Sequence, residues 1–158
     1  MTGPDTAARY ADYARARLRV RVDGRTLTLH PRVDGTTRGD FPFDADAVHV
    51  VTAFDPGPVR LSPRENADRQ ARLAREVAAL GVGTRDAVAG GADGSHEEAC
   101  VLVEGLTDAH ARRIGAAWEQ DAIFRWSRAT WTILPCDDRT PPVHLGWEIS
   151  VEEGPRPA

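Results

Sequence analysis

Lysine is absent: all twenty basic residues of the 158-residue chain are arginine. Without lysine no Schiff base forms with pyridoxal phosphate or a carbonyl substrate. No P-loop lysine reaches a β- or γ-phosphate either, so kinase and Walker-type ATPase readings fail. Cysteine is scarce. Cys100 and Cys136 are too few for a disulfide framework and are expected as reduced thiols. No stretch approaches the roughly 18 apolar residues of a membrane helix. The N-terminal segment, with Asp5, lacks the charged-then-apolar pattern of a signal peptide. These absences lead to the expectation of a cytoplasmic protein without membrane association. No G-x-S-x-G elbow or Ser-His-Asp order occurs, and no internal repeat is visible.

The hydrophobic content of 41% supports one sizeable core. The expected organisation is one α+β domain over residues 1–150, followed by a disordered tail, 151–158. The net charge of −4 argues against a dedicated nucleic-acid binder, which carries a basic footprint. Charge is uneven, however. Residues 1–38 hold eight Arg against four Asp, a balance of +4, so the remainder sits at −8. The ordinary reading is a solvated face paired with the acidic remainder; the alternative is a docked anionic ligand or partner.

Residues 5–17 have helical composition. In LRVRVDGRTLTL, Asp23-Gly24 separates two alternating runs, which predicts a type I′ hairpin because both central residues need positive φ. Residues 31–46, rich in Pro, Gly and Asp, read as a loop. AVHVVTAFD (47–55) reads as a buried central strand ended by Pro56-Gly57. Ser62-Pro63-Arg64-Glu65 is a capping box with proline at the first helical position, and Gly81 supplies the stop. Leu73, Val77 and Leu80 line that helix's core stripe, beside the small Ala67, Ala71, Ala74 and Ala78. Residues 81–95, with five glycines, read as a mobile loop rather than a phosphate cradle, because they follow a helix and precede a strand. EACVLVE (98–104) is a second buried strand, and Thr107 caps a helix over 108–119. Segments 122–126, 129–134 and 143–149 complete the pattern as antiparallel strands. The order favours a mostly antiparallel sheet with two main helices on one face. A ferredoxin-like variant, with an N-terminal hairpin and extra C-terminal strands, is the expected topology.

Asn66, the sole asparagine, lies on the same helical stripe as Leu73. A buried amide must find partners, as an unpaired one costs roughly 1–3 kcal/mol. It either straps a neighbouring segment or orients a ligand at the helix N-terminus. Thr52 and Asp55 end the central strand, a common place for ligand groups, although Asp55 also suits a simple turn. Gln120 follows the second helix. Trp126 shares a strand face with Phe124, which suits core packing, and Arg125 lies opposite with Ile123. A buried Arg125 needs a carboxylate, with Glu97, Glu98 or Asp55 as candidates. His96-Glu97-Glu98-Ala99-Cys100 holds the densest set of metal-ligand types but does not match H-E-x-x-H. No metal and no cofactor are expected. His49 sits in an apolar strand and reads as a satisfied core residue. Cys100 reads as an inert core thiol, and Asp137 and Asp138 disfavour a Cys136 thiolate.

Three stretches taken together, VHVVTAFDP, ENADRQARLAREVAALG and EEACVLVEGLTDAHARRIGAAWEQDAIFRW, resemble the bacterial family called domain of unknown function 3293. Thr52, Ala53, Pro56, Asn66, Leu73, Glu98, Gln120, Ala122, Ile123, Phe124 and Trp126 match its pattern, and Asp55 stands where that pattern prefers asparagine. The resemblance covers residues 48–127 and implies no reaction. It suggests that Thr52, Asp55, Asn66, Glu98 and Gln120 converge at one end of the sheet. Such a pocket would bind a small polar or anionic ligand. Glu98 would be its general acid or base; Thr52, Asp55, Asn66, Gln120, Arg125 and Trp126 would bind the ligand, with Asn66, Gln120 and Arg125 orienting it. The alternative is a non-catalytic interaction module for a protein or RNA partner.

Overall fold

The computed structural model describes residues 10–57, 59–91, 93–94 and 96–152. Nine strands and two long helices follow in the order β1 Arg17–Val22, β2 Arg25–Arg32, β3 Thr37–Arg38, β4 Ala47–Val51, α1 Pro63–Ala78, β5 Thr84–Gly90, β6 Glu97–Glu104, α2 Asp108–Ala117, β7 Ala122–Ser127, β8 Trp131–Pro135 and β9 Val143–Glu152. Before β1, residues 10–13 form a helical turn. The N-terminal part of the helix expected over 5–17 lies outside the described residues, as does the end of the expected tail, 153–158.

The sheet runs β2-β1-β5-β6-β4-β7-β8-β9 and closes through a β2–β9 ladder. All eight of these pairings are antiparallel, from Thr26↔Glu152 to Arg32↔Gly146 at the closure. The protein is therefore a closed eight-stranded antiparallel barrel, with the short β3 added parallel to β9. This overturns the ferredoxin-like α+β expectation, for two identifiable reasons. Within the glycine-rich 81–95 stretch expected as a loop, residues 84–90 form a strand, β5, which joins the N-terminal hairpin to β6. And β9 does not stop at residue 149: Ser150, Val151 and Glu152 pair with Thr28, Leu27 and Thr26. Without those two pieces the sheet reads as open; with them it has no free edge to leave unpaired.

Strand periodicity of two then sorts side chains to the two sides of the wall. Leu18, Val20 and Val22 of β1 point inward, as do Val48, Val50, Leu102, Trp126, Trp131, Ile133 and Trp147, and together they fill the barrel. Eight strands leave an interior just wide enough for side chains. Aromatic residues pack against one another in this core. Tyr13 meets Phe124 edge-on at 6.0 Å, and Phe41 and Phe43 each meet Trp126 at 5.5 Å. On the outside, Val51, Val101, Val103, Ile123 and Leu134 form a second core with Leu73 and Val77 of α1, Ala111 and Ile114 of α2, and Trp118 at its C-terminal cap.

The local signals that hold are those with a steric or capping cause. Asp23 and Gly24 both have positive φ, 51° and 77°, as the hairpin requires. Ser62 Oγ accepts the Glu65 N–H at 3.2 Å and bonds its carboxylate at 3.0 Å, and Gly81 has a φ of 74°. One glycine is required by close approach: a Cβ on Gly146 would lie 1.9 Å from the Thr36 carbonyl oxygen. Gly146→Ala is expected to push residues 35–38 off β9. Its cost should be about 1–3 kcal/mol or more, as for other overpacked sites, read by urea denaturation together with loss of the β3–β9 amide protection.

Candidate functional site

Beyond Val51, the chain leaves the β4 ladder but does not run free. Side chains replace the ladder, one backbone group at a time. Gln70 Oε1 accepts the Ala53 N–H at 2.9 Å, and Arg69 Nε donates to the Ala53 carbonyl at 2.8 Å. The Phe54 N–H reaches Thr52 Oγ1 at 3.2 Å, while Gln120 Nε2 donates to the Phe54 carbonyl at 2.9 Å. Asn66 Oδ1 accepts the Asp55 N–H at 2.9 Å, and its Nδ2 donates to Asp55 Oδ1 at 3.0 Å. Thr52 Oγ1 in turn donates to the Ala99 carbonyl at 2.8 Å. Asn66, Arg69 and Gln70 are neighbours on one face of α1 because they are spaced by three and four residues. Asp55 itself sits at φ 44°, a strained region for a non-glycine residue, and the two bonds from Asn66 help hold it there.

Of the five residues expected to converge, Asp55 and Asn66 bond each other, and Thr52 and Gln120 bond the same 52–55 segment; their bonds are to backbone and to each other, and Glu98 takes no part in them. The remaining two ligand-type residues lie elsewhere. Trp126 is fully buried in the barrel. Arg125 pairs in register with His49 on the outer wall and bonds Asp108, not the carboxylates of Glu97, Glu98 or Asp55. His49 Nε2 shares that carboxylate at 2.8 Å, and His49 is 2% exposed. Among the described residues His49 Nδ1 and Arg125 Nε find no partner, which assigns the neutral ring with its proton on Nε2, donating to the Asp108 carboxylate. Sequence reasoning missed Asp108. Its signal was an acidic first-turn residue on the helix that packs over the one polar position of β4.

Burial lowers the His49 pKa, against the opposing pull of the Asp108 hydrogen bond and charge. A lowered folded pKa means the unfolded chain takes up the proton first, so stability falls as pH drops below the unfolded value of about 6.5. His30 is lowered by burial too. His49→Leu is therefore expected to flatten the decline of unfolding free energy between about pH 7 and 5 without abolishing it, as followed by urea titrations at each pH.

Glu98 lies with its carboxyl mostly covered at the barrel end where β4 finishes, and His96 Nε2 stands 3.1 Å from its Oε1. Burial raises the Glu98 pKa, and the His96 bond and charge oppose this only in part. For Asp55, burial acts upward, but the bonds from Asn66 and Leu61 N–H outweigh it and the pKa is lowered. Asp55, His96 and Glu98 each offer an atom within 4.8 Å of the others. Both thiols are raised by burial to about 12, which removes them as nucleophiles near neutral pH.

The open concave surface lies outside the wall. A groove of about 620 Å³ runs between α1 and strands β1, β5 and β6. Ala67, Ala71 and Ala74 form its helix side, Val88 and Ala99 line the sheet side, and Phe54 and Gln70 of the strapped segment also line it. Arg19, Arg21 and Asp86 supply its charge. Arg19 is paired with Glu97; Arg21 makes no ion pair among the described residues. Among the described residues no helix is long and apolar enough to cross a membrane.

No curated protein and no solved structure matches the chain. The matched segment of a family model runs from the last residue of β4 to the second of β7, and so contains the straps, both long helices, β5 and β6. Residues 51–123 match the family described as "Protein of unknown function (DUF3293)", the same family that the sequence motifs resemble.

Proposed function

We propose that the protein binds a small amphiphilic anion in the groove outside the barrel wall, with the ligand's apolar body along α1 and its negative head on Arg21. One observation carries this reading: an open groove has an alanine-rich lining and, on its charged side beside Asp86, the guanidinium of Arg21, which makes no ion pair among the described residues. A volume of about 620 Å³ falls in the range of small-molecule sites, about 300–1,000 Å³, which favours a metabolite over a macromolecular partner. The barrel interior is a poorer choice because tryptophans and leucines occupy it. The residues first expected to line a pocket, Asn66 and Gln120, already use their polar groups on the segment beside the groove. They act as positioning residues for its Phe54 end. Glu98 has no place in the groove lining, so the reading is binding without an assigned acid or base.

Decanoate is a suitable probe, titrated calorimetrically into wild type, Arg21→Ala and Ala71→Trp. Saturable binding, weakened several-fold by loss of the guanidinium and abolished by the indole that fills the groove, is the expected result. Equal affinity for all three proteins, or no binding at millimolar probe, would remove the groove from consideration.

A further inference from the structure

We infer that Asp55, His96 and Glu98 form a site for one divalent transition-metal ion at the barrel end where β4 finishes. The site is independent of the outer groove, since none of the three residues lines it.

Three features of the cluster support a cation. The donor set is two carboxylates and one imidazole, a combination that suits Zn²⁺ or Mn²⁺. The three donor atoms already lie within 4.8 Å of one another. Ligands about 2.0–2.2 Å from a shared zinc ion stand somewhat closer together than that, so a small inward rotation of His96 and Glu98 completes the set. His96 is exposed and, among the described residues, its ring is held only by its 3.1 Å contact with Glu98, whereas Asp55 is fixed in advance. Its Oδ1 is held by Asn66 Nδ2 at 3.0 Å and the Leu61 N–H at 2.9 Å. Metal sites depend on such outer hydrogen bonds to orient their carboxylates. Three elements contribute one ligand each: the strapped turn after β4, the residue before β6, and β6 itself. An exposed cation, Arg60, lies near both Asp55 and Glu98 and would compete with the metal.

Calorimetric titration of the full chain with Zn²⁺, and separately Mn²⁺, tests the site against Asp55→Asn, His96→Ala, Glu98→Gln and Arg60→Ala. Asp55→Asn keeps an Oδ1 acceptor for the turn, so that variant separates ligation from folding; far-UV circular dichroism and metal-free Tm check each variant. The expected outcome is one ion bound per chain by wild type, with affinity at least tenfold weaker for each ligand variant. Arg60→Ala should bind at least as tightly as wild type, and added metal should raise Tm only where it binds. No saturable binding, or binding that survives both His96→Ala and Asp55→Asn, overturns the inference.

Discussion

Asp108→Ala is expected to lower the unfolding free energy by about 3 kcal/mol, the lower end of the range for removing one partner of a buried ion pair. The low end applies because Asp108 is 37% exposed and water replaces part of what it provides. The carboxylate is shared by two outer-wall groups: it accepts from His49 Nε2 and from Arg125. Its removal leaves a 2%-exposed imidazole and a guanidinium together, with no other side-chain acceptor bonded to either among the described residues. It also removes the acidic first-turn residue of α2, which the helix dipole favours by a few tenths of a kcal/mol. Asp108→Asn has one carbonyl oxygen for two donors and no charge, so an intermediate loss is expected. Urea unfolding of the three proteins at pH 7 gives the comparison. Near-equal stability of all three would mean that His49 and Arg125 are already solvated.

Asn66→Ala is expected to cost about 2–3 kcal/mol, because it removes both an acceptor and a donor from a buried position. The Asp55 N–H loses its acceptor, Asp55 Oδ1 loses one of its two donors, and the φ of 44° at Asp55 loses its clamp. For a chain of this length such a loss corresponds to a fall in Tm of roughly 4–12 °C. Asn66→Asp keeps the acceptor but sets a second carboxylate against Asp55, so it should be no more stable than alanine at neutral pH. Scanning calorimetry gives the order, and an Asn66→Asp protein more stable than Asn66→Ala at neutral pH would contradict it.

Features set by local sterics were legible in the sequence. The Asp23-Gly24 turn, the Ser62 cap and the two apolar strands β4 and β6 each follow from a few adjacent residues. Asn66 was legible as a polar group on a core stripe that had to be satisfied, though not what it would hold. What escaped is non-local. The β2–β9 ladder joins Thr26 to Glu152, and neither end carries a signal that names the other. β5 was hidden by composition: glycines flank and end TRDAVAG, and its inward positions use small Ala87 and Ala89 in place of the branched residues that mark a strand. The Arg125 partner was misassigned for the same reason. Neighbouring β4 with β7 sets Arg125 beside His49 and under the start of α2, and that adjacency exists only once the sheet order β6-β4-β7 is known.

The strapped segment links the two proposed sites, since Phe54 lines the groove and Asp55 belongs to the metal cluster. Its order rests on side chains standing in for a missing strand. Amide hydrogen exchange at Ala53 and Asp55 measures this directly, because each N–H has a side-chain oxygen as its acceptor. In the wild type both amides should be protected nearly as well as Val50 within β4, and Asn66→Ala should release Asp55 alone among the three. Rapid exchange of Ala53 and Asp55 in the wild-type protein, at the rate of an open loop, would contradict the account.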